Sequence, residues 1–368
     1  MTPSRLERLN TALQQAGLDA VALNPGPMLT YLTGVHFHLM ERPVVLLVSP
    51  GKQPALVLPE LEVPKVDLFP YQITAFSYGE NPAVWDVAFR KAVGSLDLDG
   101  RKIGVEPRQM RLLEYRHLRA GAPVAEFPDA SAALASLRLR KDEAEIESMR
   151  RAVRIAQEAL EATLPSIKIG VTEREIAAVL HVEMLRRGSD SELAFPPIVS
   201  AGPNSANPHA SPSGRKLQRG DLLVVDWGAA SDGYMSDLTR TFAVGEVDTE
   251  FSKIAEIVLA ANQAGLAAGR PGVPCANVDM AARTVIEKAG YGPHFTHRTG
   301  HGIGMEDHEE PYIRLDNMQM LYPGMVYTVE PGIYLPGRGG VRIEDNVVVT
   351  KEGVEVLSDM PRGLRVLR

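Results

Sequence analysis

Cysteine is nearly missing from this chain. Cys275 is the only one, so an intrachain disulfide and a multi-cysteine metal site are both excluded. A lone thiol can still be a nucleophile, but its setting, VPCANVDMAARTVI, reads as the opening of an amphipathic helix, where a small buried apolar residue fits better. Positive charge is also in deficit. Lys and Arg number 39 against 46 Asp and Glu, a formal charge of −7, and no basic run of five or more occurs, which argues against a nucleic-acid-binding surface. Long apolar runs are absent: no segment approaches the ~18 residues of a membrane span. The stretch MTPSRLERLNTALQQAG has no uninterrupted apolar core of the signal-peptide kind. These absences lead to the expectation of a cytoplasmic protein with no membrane or nucleic-acid partner.

What is present is the composition of an ordinary globular protein, 45% apolar and 23% charged over 368 residues, a length that suits two domains. Leu6, Leu9 and Leu13 fall at helical spacing, and short apolar runs follow in DAVALNP, PVVLLVSP, PALVLP and KIGVEP, with a Leu-rich helical stretch at MRLLEYRHLRAG. This alternation predicts an α/β domain over residues 1–135. From Lys141 one long helix takes over, with Ile146, Met149, Val153, Ala156, Leu160 and Leu164 on one face. A second domain over residues 136–368 is therefore expected. Helices are predicted at 173–187, 250–268 and 275–289, and strands in DLLVVDWGAASDGYMSDLTRTFAV, GMVYTVEPGIYL and GVRIEDNVVVT.

Acidic residues sit in those strand segments where strand formers are expected. LLVVDWGAASDGYMSDLTRTF reads as an antiparallel hairpin or near-hairpin with Asp226 and Asp237 on its two arms. Aspartate is a poor strand former and costly to bury alone, so the pair either holds a cation or sits at solvated strand ends. Glu330 follows four strand-favouring residues and precedes a Pro-Gly stop; Glu344 lies in a Val/Ile-rich run, on the same face as Arg342. Either could instead form an ordinary salt bridge. His301, in TGHGIG, is bracketed by glycines that permit close backbone approach. The surrounding stretch RTGHGIGMEDHEEP is too rich in polar functionality to be a plain connector. Four clustered carboxylates stay ionised only beside a compensating charge of about +4, which two divalent cations supply. Oxygen ligands with one imidazole suit Mn²⁺, Co²⁺, Zn²⁺ or Fe²⁺, at roughly the 3.5–4 Å separation of two-metal hydrolases.

The ordered motifs VVDWGA, SDLTRTF, TGHGIG, TVEPGIY and VRIEDNVVV resemble those of the M24-type metallopeptidase family, which contains methionine aminopeptidase, aminopeptidase P and prolidase. The resemblance spans essentially the whole chain. It implies an α/β (α+β) fold class: a creatinase-like N-terminal α/β domain followed by a C-terminal pita-bread catalytic domain. It also implies two divalent metal ions (Mn²⁺, Zn²⁺ or Co²⁺), with Asp226 a bidentate ligand of one metal, Asp237 and Glu344 bridging, and His301 on the other metal. Glu330 would coordinate and act as general base. His209 in NSANPHA and His308 in GMEDHEEP match the proline-specific branch, where they would hold substrate and stabilise the tetrahedral intermediate. Arg342 fits an arginine that binds substrate or orients Glu344. Asp307 and Arg298 depart from what many relatives carry at these places, without removing a ligand.

Two domains and both additional histidines imply hydrolysis of the Xaa-Pro bond, whose tertiary amide suits ordinary peptidases poorly. The substrate is expected to be a Xaa-Pro dipeptide, as for a prolidase, with aminopeptidase P action on longer peptides as the alternative. A dipeptidase needs a cation for the free prolyl carboxylate: Arg342 and His209 are candidates in the catalytic domain, and Arg42 in HFHLMERPVVLLV in the N-terminal one, unless Arg42 is an edge-strand residue paired with Glu41. An ectoine- or creatinase-like C–N hydrolase and a catalytically dead pita-bread binding module are the remoter readings. A homodimer is implied by the family and by the apolar loops around 26–40.

Overall fold

A computed structural model of the chain describes residues 4–367, which fall into two units, Met1–Arg138 and Leu139–Arg368. In the first, helix α1 (Arg5–Gln15) starts at a capping box in which Ser4 and Glu7 satisfy each other's backbone N–H groups, and it buries Leu9 and Leu13. Strands β1 (Ala20–Leu23), β2 (Val45–Val48) and β3 (Ala55–Pro59) are buried along their whole length. That is why they read as continuous apolar runs and not as alternating ones. With β4 (Thr74–Tyr78) and β5 (Ile103–Val105) they form one sheet in the order β4-β3-β2-β1-β5. Strand β4 is an edge with mostly exposed side chains, so TAFSY gave no apolar signal. Helix α2 (Pro27–Thr33) follows β1. Helices α3 (Trp85–Ser95) and α4 (Leu112–Gly121) cover the sheet with Phe89, Ala92, Val93 and Leu118, and α5 (Ser131–Arg138) ends the unit.

The second unit opens with α6 (Glu143–Thr163), capped by Asp142 with Glu145 in a second capping box. It packs with α7 (Glu173–Arg186) against the sheet β18-β10-β7-β6, built from β6 (Ile198–Ala201), β7 (Leu222–Trp227), β10 (Leu238–Val244) and β18 (Arg365–Leu367). Trp227 anchors the helix to the sheet by donating its indole N–H to the Ala156 carbonyl at 2.7 Å. The predicted hairpin is present: β7 and β10 pair antiparallel, joined through a small ribbon of β8 (Ala230–Ser231) and β9 (Tyr234–Met235).

A second sheet, β12-β11-β13-β16-β17, contains β11 (Gly300–Gly302), β12 (Glu309–Ile313), β13 (Val326–Val329), β16 (Asp345–Val349) and β17 (Val354–Val356). Helices α8 (Thr249–Ala268) and α9 (Cys275–Lys288) lie within one residue of the ranges the sequence predicts. Cys275 opens α9 fully buried among Val278, Met325 and Tyr327, and burial pushes its thiol up to about 12; it is the apolar residue expected. A ribbon of β14 (Gly332–Leu335) and β15 (Gly339–Arg342) completes the unit. The two sheets are bridged where Thr239 of β10 pairs with Glu344, whose N–H donates to the Thr239 carbonyl at 3.1 Å. Among the described residues no helix is long and apolar enough to cross a membrane.

Candidate metal centre and its cavity

The junction of the two sheets positions the acidic residues. Asp226 lies directly opposite Thr239 in the β7/β10 register, and Thr239 lies opposite Glu344, so the three side chains stand in a row on one face. Strand alternation adds Asp237, two residues before Thr239, to that face. Its backbone is clamped by Asn346, whose amide accepts from the Asp237 N–H at 2.9 Å and donates to its carbonyl at 2.7 Å.

His301 sits where the β11/β12 register shifts, an irregularity of the kind that re-aims a side chain. The glycines beside it are required. A Cβ at Gly300 would stand 1.8 Å from the Thr328 carbonyl oxygen, and one at Gly302 would stand 2.2 Å from that of Glu310. Glu330 follows β13 and is fixed by its own N–H donating to the Thr299 carbonyl at 2.7 Å.

All five predicted ligands thus converge. Ligand atoms of Asp237, His301 and Glu344 lie within 4.8 Å of one another, and His301 Nε2 is 3.5 Å from both Asp237 Oδ2 and Glu330 Oε1. The imidazole carries its proton on Nδ1, which faces the Gly302 carbonyl at 3.1 Å. Burial and the neighbouring His308 keep it neutral, well below the usual histidine range. Its Nε2 lone pair therefore faces the Asp237 and Glu330 carboxyl groups. Asp226 Oδ1, Asp237 Oδ1 and Glu344 Oε1 are likewise buried without a hydrogen-bond donor. Burial, then the charges of Glu344, Asp226 and Glu330, push the Asp237 carboxyl well up; Glu344 is pushed well up by burial and by Glu330 and Asp226. Burial also raises Asp226 against the pull of Arg342, and takes Glu330 to about 7. Buried oxygens without a donor, beside an imidazole lone pair and in a pocket that resists ionisation, fit cations: the donor set is one imidazole and four carboxylates.

These residues form the floor of a cavity of about 710 Å³. One wall is apolar, made by Phe195, Pro196, Pro197 and Ile198; the polar rim carries His209, His297, Arg298, Asp307 and His308. Residues 147–351 match the model of metallopeptidase family M24, and residues 5–140 match that of the creatinase/prolidase N-terminal domain. The chain belongs to metallopeptidase family M24. Its catalytic unit has the pita-bread fold, and the creatinase-type domain precedes it. It is similar to a dipeptidase from Pyrococcus horikoshii OT3, at 39% identity and TM-score 0.92 over 99% of this chain and 100% of that one. It is also similar to a Xaa-Pro dipeptidase from Bacillus anthracis, at 34% and 0.90 over 99% of each chain. An X-Pro aminopeptidase from Thermotoga maritima is 32% identical, with TM-score 0.85 over 99% of this chain and 100% of that one.

Within this M24 site the other predicted residues divide. His209 and His308 both line the cavity, and the His308 ring centre lies 3.8 Å from that of His301. Arg342 lies behind the acidic cluster. Its Nη2 donates to Asp226 Oδ2 at 2.5 Å, its Nε to Thr239 Oγ1 at 3.0 Å, and its Nη1 to Tyr334 Oη at 2.9 Å and the Pro208 carbonyl at 3.3 Å. Thr239 in turn donates to Glu344 Oε2 at 2.7 Å, so of the two roles expected for Arg342 this geometry serves the orienting one. Arg42 precedes a central strand, not an edge one. Its guanidinium is engaged by Glu80 through Nε and Nη2 and by Glu41 at 2.9 Å.

The sequence reasoning missed His297. Its Nδ1–H donates to the Arg298 carbonyl at 2.7 Å, which leaves Nε2 to accept from Tyr334 Oη at 2.9 Å. Burial holds it down to about 3. No local signal marked it, because its side-chain partner Tyr334 comes from β14, 37 residues away. Two of the extra carboxylates of residues 298–311 are engaged by protein groups: Glu309 pairs with buried Lys141 at 2.5 Å, and Asp307 Oδ1 accepts the His308 N–H at 2.8 Å.

Proposed function

We propose that this protein is a prolidase, hydrolysing Xaa-Pro dipeptides with two divalent cations held by Asp226, Asp237, His301, Glu330 and Glu344. The observation that carries the reading is the neutral His301 lone pair and the donor-free carboxylate oxygens at the floor of a cavity with an apolar wall. When bound, Mn²⁺, Zn²⁺ or Co²⁺ there would supply Lewis acidity, acidifying water and polarising a carbonyl. The chain's own residues do the rest. Glu330, on the cavity floor beside His301, suits a general base that takes the proton of the attacking water and passes it to the prolyl nitrogen. His308, with its Nδ1 accepting from Arg298, presents Nε2–H as a donor to a developing oxyanion. His209 stands on the rim to hold substrate, and the Phe195–Pro197 wall excludes water around the pyrrolidine ring. Arg342 keeps Asp226 and Glu344 in place through Thr239.

Support for the dipeptidase reading comes from the names of the dipeptidases to which the chain is similar. Aminopeptidase P action on longer peptides is supported by the similarity to the Thermotoga enzyme. A homodimer and a cytoplasmic location go with this reading on family grounds.

The test is hydrolysis of Ala-Pro, Met-Pro and Ala-Pro-Ala by chelator-treated protein, before and after Mn²⁺ is added. Metal-dependent cleavage confined to the dipeptides is expected, with Glu330→Ala and Asp237→Ala inactive. A faster tripeptide reaction would make the enzyme an aminopeptidase P, and inactivity on all three would reject Xaa-Pro hydrolysis.

A further inference from the structure

A dipeptide brings a negative charge to the end remote from its amine, and a guanidinium lining the cavity suits that charge. The cavity has two arginines, Arg342 and Arg298. Arg342 makes four hydrogen bonds to protein groups, one of them its ion pair with Asp226, and is 3% exposed. Arg298 is different. It is half-buried, and its guanidinium carbon lies over the Tyr312 ring, 4.4 Å from the centroid. One N–H donates to His308 Nδ1 at 3.1 Å, and it makes no ion pair with any described carboxylate. A guanidinium has five N–H donors in a rigid fork. The cation–π contact with Tyr312 and the bond to His308 hold that fork in place while leaving most of its donors unused, so little conformational entropy is lost when an anion arrives. Asp307, the one lining carboxylate outside the five ligands, is held by the His308 N–H and does not neutralise Arg298.

We propose that Arg298 is the residue that selects dipeptides, by receiving the free prolyl carboxylate of the substrate. The proposal rests on the Xaa-Pro reading and deepens it. In a longer peptide that carboxylate is a neutral amide, and the charge-assisted fork is lost. Hydrogen bonds to charged groups of this kind correspond to about a ten- to hundredfold difference in binding. Arg42, whose guanidinium is already engaged by Glu80 and Glu41, is the competing assignment.

The experiment compares Ala-Pro with Ala-prolinamide, its neutral counterpart, on the metal-loaded wild type and on Arg298→Gln, Arg298→Lys and Arg42→Ala. Circular dichroism confirms that each variant folds. Arg298→Gln should raise KM for Ala-Pro about ten- to hundredfold, while KM for Ala-prolinamide moves less than threefold; Arg298→Lys, which keeps the charge and loses the fork, should fall between. An equal loss on both substrates would mean that Arg298 acts only by orienting His308, and would overturn the proposal. So would an unchanged KM for Ala-Pro, or a selectivity that collapses in Arg42→Ala alone. Wild-type protein that cleaves neither substrate would reject the Xaa-Pro reading itself, and the anchor with it.

Discussion

Replacing Glu330 by glutamine should make the metal-free protein more stable at pH 8 than the unchanged chain, although it removes the proposed base. The reasoning starts from burial beside Asp226, which raises the Glu330 carboxyl from an ordinary 4.5 to about 7 even against the favourable charges of Arg342 and Arg298. A carboxyl whose folded pKa is raised contributes stability that is complete below its unfolded pKa and is lost as pH rises through the folded one. Between pH 5 and pH 8 that loss comes to about 2.5 kcal/mol for a shift of this size. The Glu330 side chain keeps 15% of its exposure, so about 2 kcal/mol is the better expectation. Glutamine has no such term.

The difference between variant and wild type isolates the effect. His297, His301 and His308 are all held below the usual histidine range, and their contribution has the opposite sign: it is present above pH ~6.5 and lost as pH falls. To first order both proteins share it, so it cancels in the comparison. Thermal unfolding in a chelator, followed by circular dichroism at pH 5, 6, 7 and 8, should show Glu330→Gln gaining on wild type by about 3 °C across the range. Saturating Mn²⁺ should reverse the ranking at pH 8, because cations favour the ionised carboxylate. A difference that stays flat with pH, or grows as pH falls, would refute the account of this cluster as carboxylates that resist ionisation without metal.

Two further outcomes follow from packing. Gly300→Ala places a Cβ 1.8 Å from the Thr328 carbonyl oxygen; it should cost about 3 kcal/mol or more and abolish metal uptake measured by native mass spectrometry, whereas full uptake would show that β11 can move. Lys141→Met removes the buried ion pair with Glu309, which is 8% exposed, and should lower stability by about 1.5–3 kcal/mol in denaturant titration, with Lys141→Met/Glu309→Leu recovering most of it. No recovery in the double variant would assign Lys141 a role other than that pair.

The catalytic unit was legible where its signals are local. The apolar stripe of α6 and the Asp142 and Glu145 box fix its first helix, and Asp226 and Asp237 stood out because they interrupt residues that otherwise favour strands. The glycines around His301 announced a close approach, and Thr328 and Glu310 are what approach. Partners distant in sequence could not be read. Arg342 joins Tyr334, Thr239, Asp226 and Pro208 from four segments, so its neighbour Glu344 was visible while its hydrogen bonds were not. His297 has the same difficulty, and β4 lacked a pattern because its edge position leaves its side chains in water.

The segment VRIEDN shows how the fold maintains an acidic pocket. Glu344 faces the site, whereas the next residue, Asp345, is buried on the other side of the strand and binds Arg240 at 2.8 Å, Arg362 at 2.6 Å and Ser358 at 2.5 Å. Those cations hold Asp345 below the ordinary carboxylate range despite its burial. Arg240 then donates to the Glu344 carbonyl at 2.7 Å, and Asn346 clamps Asp237. One face of the strand thus carries a carboxylate fully paired with protein cations, and the other a carboxylate with a donor-free oxygen. Adjacent acidic residues in one strand therefore do opposite work: Asp345 secures the backbone, and Glu344 keeps a lone pair for a cation. A protein that needed only structural stability would pair both, so the unpaired face is the functional one.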